Sequence, residues 1–114
     1  TNPNAYRPHV AMTLNNLAIL EKNNNEYEQA REHYLEALNI YRELAETNPN
    51  AYRPHVAMTL NNLALLYVHL NDKNESLKYA DEAKKIIEPF INKTPFIQKQ
   101  FDTSNKIIDY WKDK

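Results

Sequence analysis

Residues 1–18 read TNPNAYRPHVAMTLNNLA, and residues 47–64 repeat the same eighteen residues. The offset is 46, and the register continues past the identity without a gap: Leu20 falls on Leu66, Asn25 on Asn71, Ala37 on Ala83 and Ile40 on Ile86. Self-similarity with a period of roughly 20–50 residues is the mark of a solenoid, in which each unit buries one face against the next. The expected organisation is one domain, 1–114, made of a first unit over 1–46, a second over 47–92 and a capping helix over 93–114.

Each unit reads as two helices. Val10, Leu14, Leu17 and Ala18 form a stripe of helical period, repeated by Val56, Leu60, Leu63, Ala64 and Tyr67. Pro8 and Pro54 are expected in the first helical turn, where a missing N–H costs nothing. The second helix of the first unit carries Tyr27, Ala30, Tyr34, Ala37, Tyr41 and Leu44 on one face, over roughly 26–46. Its counterpart carries Ser76, Ala80, Ala83, Ile87 and Phe90, and Pro89 should end or kink it. Asparagines stand at the turns, 23–25 and 71–74. In a chain with no glycine, Asn is the residue that best tolerates a left-handed helix end, and Asn25 and Asn71 could also cap the helix that follows. The segment 48–54 reads as an ordered turn anchored by Tyr52, as Tyr6 would anchor its copy. In the tail, Thr94-Pro95 is a cap followed by a first-turn proline. Ile97, Phe101, Ser104, Ile108 and Trp111 then share a face, with the lysines and aspartates largely off it.

Composition excludes several classes of function. Fourteen Lys+Arg against fifteen Asp+Glu give a net charge of −1, without the basic surplus that nucleic acid or an anionic membrane demands. Absence of cysteine removes disulfides, thiolate metal sites and a thiol nucleophile, and absence of glycine removes every glycine-rich phosphate loop. No apolar run approaches the roughly 18 residues of a membrane span. His9, His33, His55 and His69 offer no i, i+4 metal-ligand pair, and His55 and His69 lie about 21 Å apart along one helix. No Ser/His/Asp arrangement stands out, and charge pairs such as Arg42–Glu46 read as surface ion pairs. Neither enzyme chemistry nor a cofactor nor a metal is expected. With no targeting segment in this stretch, the expected compartment is the cytoplasm.

The helix-turn-helix units with small residues at Ala18, Ala30, Ala37, Ala64, Ala80 and Ala83, and large ones at Leu14, Leu17, Tyr34, Leu60, Leu63 and Tyr67, resemble the tetratricopeptide repeat. Glu21 departs from that pattern, standing where the second copy has Tyr67, and Ala80 replaces the aromatic of Tyr34's kind. The resemblance implies an all-α fold, a right-handed α-α superhelix of two helix-turn-helix units plus the cap. The 46-residue period and the LNNLA motif look like the long-helix repeats of kinesin light chain and of bacterial arrays. That likeness implies a scaffold whose concave face binds a peptide or a partner protein, with Asn15, Asn16, Asn61 and Asn62 reaching peptide backbone and Ile19, Leu65 and His69 beside them. An amide both donates and accepts, so it can pair with any backbone. Leu14 and Leu17 would face the core while the asparagines lie about 100° and 200° around the helix from Leu14. One asparagine of each pair could instead bond the neighbouring helix. The inner face of the two first helices offers one lysine, Lys22, so a basic clamp for an acidic tail is not expected.

Thr1 opens inside the linker motif, which suggests the C-terminal part of a longer array. The alternative reading is a self-association module without a peptide ligand, with a homodimer formed through the N-terminal helix over Val10 and Leu14.

Overall fold

The computed structural model describes residues 3–91 and 93–114. Thr1 and Asn2, where the linker motif opens, and Asn92, at the expected unit boundary, lie outside the described residues. Five helices follow one another: α1 Pro3–Asn23, α2 Tyr27–Thr47, α3 Pro49–His69, α4 Lys73–Ile87 and α5 Pro95–Lys112. A 3-10 turn, Glu88–Phe90, follows α4. Consecutive helices pack as neighbours, and α3 also packs on α5, so that α1, α3 and α5 form one layer and α2 and α4 the other. The molecule is an all-α helical repeat solenoid, 49 × 33 × 20 Å.

The turns use the chemistry expected of a glycine-free chain. Asn25 and Asn71 end α1 and α3 with φ of 64° and 56°, the left-handed region that Asn tolerates best after glycine. They do not cap the next helix. Glu26 stands at the start of α2 without a side-chain bond, while the Asp72 carboxylate accepts the Glu75 N–H at 3.1 Å to cap α4. Thr94 caps α5 by accepting the Ile97 N–H at 3.1 Å, with Pro95 in the first turn.

Four expectations need correction. The segment 48–54 is not an ordered turn but mostly helix: α3 starts at Pro49, so Asn48 alone separates α2 from α3. Pro49 rather than Pro54 holds the first helical position, and Pro54 and Pro8 lie one turn further in. There each removes one backbone hydrogen bond near the helix start; Pro54 is nevertheless buried. In α5 the buried line is Ile97, Gln100, Ser104, Ile107 and Trp111, with Phe101 and Ile108 half-buried. The face is turned toward Gln100 and Ser104 because both bond Asn61 of α3. Finally, Arg42 pairs with Glu82 across to α4 and not with Glu46.

The core is a stack of small and large side chains. Ala18, Ala30, Ala37, Ala57, Ala64, Ala80 and Ala83 are fully buried and let the helices approach closely. Tyr34, Leu60, Leu63, Leu66 and Ile87 fill the space between them. Where the second unit stacks Tyr67 on Tyr79, centroids 5.8 Å apart, the first unit sets Glu21 against His33 at 2.6 Å. Both pairs are related by the 46-residue offset, so Glu21 keeps the contact and changes its chemistry.

The eighteen identical residues meet two different environments. Val10 is 45% exposed and Val56 3%; Leu17 is 40% exposed and Leu63 0%. The difference is α2, which lies across α3, whereas no described residue covers the same side of α1. Leu17 was expected in the core and is not there. Leu63→Ala should therefore cost about 2–5 kcal/mol, the range for a buried leucine truncation. Leu17→Ala, the same change in the same local sequence, should cost about 1 kcal/mol or less. Urea unfolding of the two variants measures the contrast, and equal losses would mean that α1 is as well covered as α3.

Candidate functional site

The layer of α1, α3 and α5 carries a cleft of about 350 Å³ lined by Ile19, Met58, Asn61, Asn62, Leu65, Phe96, Lys99, Gln100 and Thr103. A second depression of about 260 Å³ continues it along Leu65, Val68, Thr103, Lys106, Ile107 and Tyr110. Helical period explains the lining. Met58, Asn62 and Leu65 are spaced i, i+4, i+7 on α3, and Lys99, Thr103 and Lys106 repeat that spacing on α5, with Tyr110 one turn further on. An offset of 41 relates the two sets and also relates Thr59 to Gln100 and Leu63 to Ser104.

The two asparagines of each LNNLA motif have separate tasks. Asn15 and Asn61 are buried, at 3% and 1% exposure. Asn15 Nδ2 donates to Thr59 Oγ1 at 2.9 Å, and that hydroxyl donates to the His55 carbonyl at 3.0 Å, tying α1 to α3. Asn61 Nδ2 donates to the Gln100 carbonyl at 2.9 Å and to its Oε1 at 3.2 Å. Ser104 Oγ donates to Asn61 Oδ1 at 2.9 Å. A parallel relay runs from Trp111 Nε1 to Ser76 Oγ at 2.8 Å and from Ser76 Oγ to the Ala64 carbonyl at 2.8 Å, joining α5, α4 and α3. Asn15 Oδ1 has no partner among the described residues. The position corresponding to Ser104 is Leu63, which has no donor to give it.

Of the seven groove residues expected from the sequence, the cleft brings together Ile19, Asn61, Asn62 and Leu65. Asn61 forms part of the floor, but its amide is held by α5. Asn15 bonds Thr59 inside the stack, so neither buried asparagine is offered to a partner. This corrects the expectation that all four amides reach into the groove: in each pair one asparagine, Asn15 or Asn61, is turned inward and its Nδ2 is spent on the neighbouring helix. Asn16 is exposed on α1 and Asn62 half-buried on α3. His69 stands at the end of α3 with its ring 6.3 Å from Tyr27, away from the cleft.

The contribution of α5 is what inspection of the two repeats missed. Phe96, Lys99, Thr103, Lys106 and Tyr110 line the groove although the tail has lost the repeat's sequence. The signal was the spacing from Pro95, which matches the spacing from Pro54. The cleft therefore holds two lysines and no carboxylate among its lining residues.

Burial pushes the Tyr34 phenol up to about 12. Burial also raises Tyr41, with the facing Tyr52 adding to it, and raises Tyr67 and Tyr79 in the same way, each helped by a nearby phenol or carboxylate. At each of these positions burial favours the neutral phenol. Among the described residues no group of three His, Cys, Asp or Glu is placed to hold a metal ion, and no helix is long and apolar enough to cross a membrane.

The tetratricopeptide repeat family model matches residues 9–88. The chain belongs to the tetratricopeptide repeat family. Members of this family are in general protein–protein interaction modules and are typically non-catalytic scaffolds. No curated protein matches the chain.

Asn61→Ala in this tetratricopeptide domain should cost about 1–3 kcal/mol, because Ser104 and Gln100 lose a buried partner. Asn62→Ala should leave stability within about 0.5 kcal/mol. Thermal unfolding followed by circular dichroism checks the pair; a stability loss at Asn62 equal to that at Asn61 would contradict the division of tasks.

Proposed function

We propose that the chain is a non-catalytic scaffold that binds a peptide segment of a partner protein along the layer of α1, α3 and α5. The observation that carries this reading is the composition of the cleft. Its apolar floor of Met58, Leu65 and Phe96 sits beside the amide of Asn62 and the hydroxyl of Thr103, under Lys99. Met side chains adapt to ligands of different shape, which suits a docking surface. An apolar anchor on the peptide would enter the cleft, Asn62 would pair with its backbone, and Lys99 and Lys106 would favour a carboxylate flanking the anchor. The likeness of the 46-residue period to the long-helix arrays of the kinesin-light-chain kind supports the same face.

Fluorescence polarisation with short peptides tests it. A peptide with a central Leu or Phe flanked by Glu should bind more tightly than the same peptide flanked by Lys. Lys99→Glu with Lys106→Glu should reverse that order, and Leu65→Asp should weaken both, with melting temperature within a few degrees of wild type. Equal affinities for the two flanks, or no effect of Leu65→Asp, would contradict the reading.

A further inference from the structure

Where α2, α3 and α4 meet, Arg42, Ala45, Glu46, Arg53, Val56 and Ile86 line a pocket of about 250 Å³ that shares no residue with the groove of α3 and α5. Its floor is apolar: Val56 is buried, and Ala45 and Ile86 are half-buried. Its rim is charged. Arg42 is held across to α4 by Glu82. Arg53 and Glu46, both exposed, make no ion pair with each other or with any other described residue. The repeat shows what Arg53 lacks. In the first unit Arg7, Val10 and Ile40 stand at the positions of Arg53, Val56 and Ile86, and Arg7 pairs with Glu43. The residue 46 positions after Glu43 is Pro89, in the 3-10 turn that follows α4, so the carboxylate that serves Arg7 has no counterpart for Arg53.

We propose that this pocket binds a free α-amino acid with a branched aliphatic side chain, of the leucine type. The ligand carboxylate would give Arg53 the ion pair that Glu43 gives Arg7, the ammonium would go to Glu46, and the side chain would lie on Val56, Ala45 and Ile86. The charges decide the class of ligand. A plain carboxylate would be repelled by Glu46 and a plain ammonium by Arg53. A zwitterion with an apolar body answers both charges and the floor. The volume decides the size, because drug-sized ligands occupy about 300–1,000 Å³ and this pocket holds less. Glu46 follows from α2 and Arg53 lies on α3, so the bound amino acid would tie these two helices together and stabilise the fold by mass action. The site is separate from the groove of α3 and α5, so amino-acid binding and peptide binding succeed or fail independently.

The test titrates isotope-labelled full chain with L-leucine at constant ionic strength, observed by amide chemical shifts and by melting temperature. Saturable shifts are expected at Ala45, Glu46, Arg53 and Ile86, with Leu65 and Lys99 of the groove unmoved, and the melting temperature should rise with leucine concentration. Leucine amide, which lacks the carboxylate, and N-acetyl-leucine, which lacks the ammonium, should each bind about tenfold more weakly or worse, the loss expected when one charged hydrogen bond is removed. Arg53→Gln and Glu46→Gln, both at exposed positions, should weaken leucine to a similar extent with the helical circular-dichroism signal unchanged. Pro89→Glu, which returns to Arg53 the carboxylate of the first unit, should also weaken it. Failure to saturate at millimolar leucine would overturn the proposal. So would shifts centred on Leu65 and Lys99, or binding of leucine by Glu46→Gln as tight as by the wild type. Equal affinity for N-acetyl-leucine would overturn it too, because the pocket would then select a plain carboxylate such as a peptide C-terminus.

Discussion

Helix α3 meets α2 on one side, α4 on another and α5 on a third, and apart from Arg53 it carries neither lysine, arginine nor carboxylate. A helix that is apolar most of the way round is stable only when neighbours cover it on every side. Ala57, Leu60, Leu63, Ala64 and Leu66 are all removed from water. Each large member contributes about 1.5–3 kcal/mol through burial. The alanines contribute by letting the helices close up, so that Leu63 and Leu66 touch their neighbours at core density. Remove any one of the three neighbours and α3 exposes a face of its own, as α1 does where no described helix covers it.

Apolar burial alone would allow the helices to slide along one another. The bonds from Asn15 to Thr59, from Asn61 to Gln100 and Ser104, and from Trp111 through Ser76 to Ala64 fix their register. Buried amides demand partners; Asn61 finds them for both nitrogen and oxygen and Asn15 for its nitrogen, at specific heights along the facing helix. The same bonds place the groove. Asn61 held by α5 sets the distance between α3 and α5, and hence the width of the cleft between Leu65 and Lys99. Asn61, held by α5, and Asn62, which lines the cleft, therefore sit side by side in the second LNNLA because adjacent residues on a helix point about 100° apart.

The repeat, the helix count and most of the core were legible in the sequence, because period and small-residue spacing are local patterns. The left-handed turns at Asn25 and Asn71 were legible for the same reason, in a chain without glycine. Three things were not. Which asparagine of each pair faces inward depends on the rotation of α1 and α3 about their axes, and a stripe read from Leu14 and Leu17 does not fix it. The burial of Leu17 depends on a neighbour, and identical sequences gave opposite outcomes. The groove residues of α5 were hidden because the tail kept the spacing of the first helices and lost their residue types, so Lys99 and Lys106 read as members of the charged face opposite the cap's apolar one.

Hydrogen exchange tests the dependence on neighbours most directly, since residues 11–18 and 57–64 are identical and their intrinsic exchange rates cancel. Measured on one sample, the amides of 57–64 should open only with global unfolding, while those of 11–18 should exchange through a smaller opening of lower free energy. Equal protection of the two segments would show that stability resides in the segment and not in what covers it, and would contradict the account.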